Sequence, residues 1–167
     1  LRNLASESET PRLSKRVAHP LQHSSTAHRT MPKIVGKHSR VVEAPGLTID
    51  ELVGNVATGQ DTLSVALVKV AAGTKEPFLT LHYDEWICVI KGCFVLEQEG
   101  VAPLEVPAGS TVQLEKGTRF RPTFPVDTEY IPVCLPAFSP DRCIREDTET
   151  EEGVAIASKL SELHGKK

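Results

Sequence analysis

Aromatic side chains are scarce in this chain: one Trp, two Tyr and five Phe among 167 residues. Long apolar runs are missing altogether. None approaches the ~18 residues that a membrane-spanning helix needs, so a soluble protein is expected, with no membrane partner. Charge of one sign is not in excess either. With 19 Lys+Arg against 22 Asp+Glu the formal net charge is -3, which gives no electrostatic reason to expect nucleic acid or an anionic membrane surface as partner. No two of the four cysteines, Cys88, Cys93, Cys134 and Cys143, form a C-x-x-C pair. Three of them lie in apolar, strand-like segments. Reduced, buried thiols in an intracellular protein are therefore the leading expectation, since a free Cys behaves as a small hydrophobe. A structural zinc site and a disulfide framework are the alternatives. No self-similarity appears at solenoid periods.

What is abundant is punctuation, with 12 Pro and 11 Gly. Gly92, Gly100, Gly109 and Gly117 bound short runs of β character: CFVLEQ, LEV, STVQLE and the segment around RFRPTF. Short strands at such spacing predict an all-β sandwich or barrel instead of βαβ units. Thr62 to Val70 reads as a central strand, apolar on most of both faces. Val41 and Val42 suggest an earlier, edge-like strand broken by Pro45-Gly46, and Leu47 to Val56 reads as a helical turn or loop. Tyr130 to Leu135 brings the total to about eight strands, with Pro132 expected at an edge or bulge. Beyond Pro140, DRCIREDTETEE reads as a solvated acidic linker. Thr148 and Glu151 have capping-box spacing, and Ile156, Leu160 and Leu163 at i, i+4, i+7 predict a short amphipathic C-terminal helix.

The domain reading is residues 1–30 as a disordered extension, 31–145 as a β-barrel, and 146–167 as linker and helix. The first segment carries Arg2, Arg12, Lys15, Arg16 and Arg29 with few apolar residues, too little burial to offset its ordering entropy. It reads either as a mitochondrial-type targeting sequence or as a stretch upstream of a start at Met31. Glu7 and Glu9 fit a transit peptide poorly and favour the second reading. The expected location is then cytoplasmic, with mitochondrial as the alternative.

The densest group of chemically capable side chains is the corner His82-Tyr83-Asp84-Glu85, inside PFLTLHYDEWICVIKGCFVLEQEG (77–100). A two-residue hairpin turn at Lys91-Gly92 would pair Ile90 with Cys93, Cys88 with Val95 and Trp86 with Glu97. Alternation puts Glu85, Ile87 and Val89 on one face with Phe94 and Leu96, and Trp86, Cys88, Ile90, Cys93 and Val95 on the other. Both faces are apolar. One lines the interior and the other needs a cover, from the N-terminal segment, the C-terminal helix or a second subunit; a homodimer is the expectation.

Glu85 and Gly92, with six residues between them, and Pro107-Ala108-Gly109 resemble parts of the two motifs of the cupin family. Within it, TLHYDEWICVIKG is most similar to the small ethanolamine-utilisation (EutQ-like) cupins and, in outline, to ureidoglycine-aminohydrolase-type cupins. The resemblance spans Thr62 to Leu135 and implies a jelly-roll barrel, often dimeric, with a ligand pocket at its mouth. The metal motif is incomplete. The positions where motif one wants its second His hold Thr80 and Leu81, and the second-motif His is replaced by Val112. His82 and Glu85 remain as candidate ligands, too few to hold a first-row metal firmly, so the expected cofactor is none or a weakly held divalent metal.

Three functional readings follow. The first is a small-molecule-binding cupin, its pocket lined by Thr80, His82, Glu85, Arg121 and Tyr130, in accessory amine metabolism as the EutQ-like resemblance implies. The second is an enzyme in which His82 and Glu85 hold a metal or act as an acid–base pair on an amine or organic acid. The third is an interaction module. A buried Glu85 needs a partner, and His82, Arg119 and Arg121 are the candidates. Arg119 and Arg121 share a face and could either clamp an anion or be solvated. An interior filled by Phe94, Leu96 and Phe120 would leave no room for ligand and favour the third reading.

Overall fold

The computed structural model describes residues 31–74, 76–146 and 151–165. The expectations for residues 1–30 and for Thr148 as a helix cap lie outside them. The chain divides into two compact units, Leu1–Lys33 and Ile34–Lys167, and everything below concerns the second.

Eleven strands and two helical pieces are present among the described residues. A six-stranded antiparallel sheet has the order β1-β2-β3-β10-β5-β8, built from Ser39–Ala44, Leu47–Val53, Ser64–Val70, Thr128–Leu135, Asp84–Lys91 and Thr111–Leu114. A five-stranded antiparallel sheet has the order β11-β4-β9-β6-β7, built from Cys143–Arg145, Leu79–Leu81, Arg119–Thr123, Cys93–Glu97 and Leu104–Pro107. Their inner faces meet over one core in which Phe94, Phe120, Leu81, Ile87, Val89 and Thr128 are the largest fully buried side chains. The expected all-β barrel is therefore present, and the strand count is higher than about eight.

Four local expectations are corrected. Leu47–Val53 is strand β2, not a turn or loop. Pro45-Gly46 closes a two-residue turn between Ala44 and Leu47, with Gly46 at φ 73°, a conformation Gly adopts without Cβ strain. Cys143–Arg145 is strand β11, paired with β4, where a solvated linker was expected.

Lys91-Gly92 is not a hairpin turn. β5 pairs with β10 and β8, whereas β6 pairs with β7 and β9, so Gly92 carries the chain from one sheet to the other. The crossing is stapled by Thr128, whose hydroxyl accepts from the Cys93 N–H (3.3 Å) and bonds the Cys93 carbonyl (3.0 Å). The expected faces still hold. Glu85, Ile87, Val89, Phe94 and Leu96 are all buried, because strands in two facing sheets present the same inward parity to one core.

Pro132 sits in β10, between two neighbours and not at an edge. It pairs with Ile87 of β5, while the ladder to β3 has register partners only at Tyr130 and Val133 around it. That gap accommodates a residue with no N–H.

Helix α1 (Glu151–Gly165) returns to the barrel. Leu160 is buried, with Ile156 and Leu163 partly so against the same core, as their spacing predicts. Burying one Leu contributes about 2 kcal/mol. Phe138 meets the His164 ring edge-to-face at 5.6 Å.

Candidate functional site

The two sheets and α1 enclose a cavity of ≈ 380 Å³. Phe94 and Phe120 line it without filling it, so the interior retains room for a small molecule. The inward faces of β2, β3, β5 and β10 supply Ile49, Ala66, Val68, Ile87 and Tyr130, and α1 supplies Ile156 and Leu160. Most of the lining is apolar.

Against that background stands one polar patch. Glu85 is the first inward residue of β5 and is 8% exposed. Cys134 lies directly opposite it on β10, and its thiol donates to Glu85 Oε1 over 3.7 Å, a long, weak contact. Burial, partly offset by that contact, raises the Glu85 carboxyl from 4.5 to about 7. Ser64 Oγ accepts the Phe138 N–H at 2.9 Å and also bonds the Cys134 thiol. Tyr83 and Cys143 bond each other beside it. Burial pushes the Cys143 thiol up to about 12 and Cys134 higher still, so neither is a ready nucleophile. Burial likewise holds the Tyr83 and Tyr130 phenols well above their usual value.

Two further acids line the cavity, each already engaged. Glu51 Oε1 accepts the Val56 and Ala57 N–H groups at 2.7 and 2.8 Å, tying down the loop after β2. Glu76 pairs with Arg145 at 3.1 Å, both side chains largely buried.

Of the residues expected at the site, the structure brings Glu85 and Tyr130 into the cavity wall. Thr80, His82 and Arg121 are not part of that wall. His82 is exposed, its backbone N–H donating to the Arg142 carbonyl at 2.7 Å. Leu81, Tyr83 and Glu85 alternate inward, so a residue three before Glu85 faces out. His82 is therefore neither the partner of Glu85 nor placed to share a ligand with it. Arg119 and Arg121 are not its partners either. Arg119 pairs with Glu146 and Glu99, Arg121 pairs with Glu97, and both guanidiniums lie near the Phe78 ring.

A divalent metal does not fit the expected pair. Among the described residues no group of three or more His, Cys, Asp and Glu could hold one. The four cysteines are free thiols. Sequence reasoning placed Tyr83 at the corner without a site role, and missed Ser64, Cys134, Cys143 and the Glu76–Arg145 pair as parts of the site. For Cys134 the signal existed, since it shares the parity of Tyr130 on one strand.

No family model matches the chain. Among curated proteins it is similar to an endoribonuclease YbeY of Myxococcus xanthus (strain DK1622), 32% identical over 98 residues that make up 58% of this chain and 33% of that protein. The chain thus spans about a third of the length of that relative. Among solved structures it is similar to ectoine synthase from P. lautus, with a TM-score of 0.50, 15% identity, and coverage of 58% of this chain and 69% of that one. It also resembles a putative ethanolamine utilization protein Q of Salmonella typhimurium LT2, with a TM-score of 0.47, 21% identity, and coverage of 58% and 79%. A cupin superfamily protein of Desulfitobacterium hafniense DCB-2 gives a TM-score of 0.49 at 11% identity, covering 56% and 83%. At these identities the likeness concerns the fold alone: the double-sheet barrel is one that ectoine synthase shares. No helix among the described residues is long and apolar enough to cross a membrane.

Proposed function

We propose that this protein binds a small molecule inside the barrel, with Glu85 as the polar anchor. The observation that carries the reading is a ≈ 380 Å³ cavity that keeps a nearly fully buried carboxyl in an apolar wall. Such a carboxyl destabilises the free protein unless something binds it, and strongly perturbed groups of this kind cluster at functional sites. The small-molecule reading is favoured over a pure interaction module because the interior is not filled. An RNA substrate is disfavoured on charge: among the described residues three carboxyl side chains and one guanidinium line the cavity. A role in amine metabolism belongs to this reading as its most specific form.

The test is a thermal-shift screen of small metabolites against the wild type and Ala66→Phe, which places a ring in the cavity. At least one compound is expected to raise the wild-type melting temperature and not that of Ala66→Phe. Equal responses from both proteins would place binding elsewhere.

We also propose that the outer face of the six-stranded sheet pairs with a second copy. Val65, Val133 and Trp86 lie side by side across β3, β10 and β5, with Ile131 beside Cys88. Ile90 and Leu135 on this face are 56% and 44% exposed. Light scattering is expected to give a dimer mass, and Ile90→Lys is expected to weaken association at least tenfold. A monomer mass for the wild type at working concentration would contradict the pairing.

A further inference from the structure

The charge distribution around the cavity narrows the chemical class of its ligand. Among the described residues Arg145 is the cavity wall's one basic side chain, and Glu76 already pairs with it. Glu51 is committed to two backbone N–H groups. Glu85 has a weak thiol contact, and among the described residues no cation is paired with it. An anionic ligand would meet an excess of carboxyls with no guanidinium to spare. A cation would meet one carboxyl in want of a partner. The rings of Phe94, Phe120, Tyr83 and Tyr130 line the same space, and aromatic faces attract ammonium groups.

Resting on the small-molecule reading above, we propose that the ligand is a small organic cation. Its ammonium group sits against Glu85, and its apolar body lies among Phe94, Phe120 and Tyr130. No covalent step is involved; Glu85 supplies a counter-charge. Because burial raises the free Glu85 carboxyl to about 7, forming the ion pair below that pH requires that it release a proton to solvent.

The pH dependence follows with a definite sign. The groups facing Glu85 are Cys134 and Tyr130 of β10, Tyr83 at the β4–β5 corner, Cys143 and Arg145 of β11, Glu76 ahead of β4 and Glu51 of β2. The thiols and phenols are all raised by burial and stay neutral between pH 6 and 8. Glu85, raised by burial to about 7, changes charge in this window. A cationic ligand binds more tightly as pH rises through about 7. A neutral acceptor or an anion held by the protonated carboxyl binds more weakly.

The experiment is isothermal titration calorimetry on the full chain with three probes of matched shape: 2-phenylethylamine, 2-phenylethanol and phenylacetate. A ring with a short arm suits this volume, since a cavity of about 150 Å³ already takes benzene. The amine is expected to bind best, about tenfold more tightly at pH 8 than at pH 6 for a carboxyl that titrates near 7. Proton release should appear when buffers of different ionisation heat are compared. Glu85→Gln is expected to lose at least tenfold at pH 8 and to show no pH dependence. The wild-type pH dependence decides the matter even if that variant fails to fold. Tighter binding of the alcohol or the carboxylate, or amine affinity that is flat or falls with pH, would overturn the cation while leaving the small-molecule site standing. Failure of all three probes to bind would overturn both.

Discussion

Glu85→Gln is expected to be more stable than the wild type at pH 8, by up to about 3 kcal/mol, with the difference shrinking toward zero near pH 4. The sign follows from proton linkage. The folded carboxyl titrates at about 7 and the unfolded one at 4.5. Below 4.5 both states hold the proton and no penalty arises. As pH rises from 4.5 to 7 the unfolded chain releases its proton first, so wild-type stability falls by about 1.4 kcal/mol per unit and then levels off. Every other ionisable group is common to both proteins, so the difference between their denaturation curves isolates this one. Denaturant unfolding at pH 4, 6 and 8 measures it. A difference that does not grow with pH would mean that Glu85 is solvated in the native state. A side chain that costs stability when the protein is empty is what a binding site looks like before its ligand arrives.

The second large effect is expected at Gly92. Its φ of 80° strains any residue with a Cβ, and that Cβ would overlap the Asp127 carbonyl oxygen and crowd Thr128. A left-handed conformation alone costs about 1–2 kcal/mol. Displacing backbone that is itself bonded through Thr128 adds to this, so Gly92→Ala is expected to lose about 3 kcal/mol or more. Gly73→Ala is the control, with a similar φ of 75° and nothing within reach of its Cβ; it should lose only the conformational part. Equal losses at the two sites would show that the sheet crossing at Gly92 is not tightly packed.

Gly92 also shows where sequence reading stops. A Lys-Gly pair between two apolar runs matches a hairpin turn, and nothing local distinguishes it from a crossing between sheets. That distinction is made by Thr128, 36 positions away from Gly92. The inward parity of Glu85, Ile87, Val89, Phe94 and Leu96 was legible because period-two alternation holds whichever sheet a strand joins. The same rule already excluded His82, an odd number of residues from Glu85, and Arg121, which alternates with the buried Phe120 and Pro122. Chemical type drew attention to both against their position. β2 was hidden because Asp50-Glu51 interrupts an apolar pattern, and Glu51 is buried only because the Val56 and Ala57 N–H groups reach it. β11 was hidden because three residues in a charged stretch become a strand only through pairing with β4, more than sixty residues earlier. A pocket was implied by the resemblance, and Glu85 and Tyr130 were placed in it, but the rest of its walls could not be read, since they come from nearly every element and from α1.

The most direct test of the site is the titration of the Glu85 carboxyl itself, followed by carbon-13 NMR with Glu85→Gln to assign the resonance. A midpoint near 7 in the free protein, moving sharply downward when an amine occupies the cavity, is the expected result. A midpoint near 4.5, unmoved by any cavity ligand, would contradict a dry, ligand-ready interior anchored on Glu85.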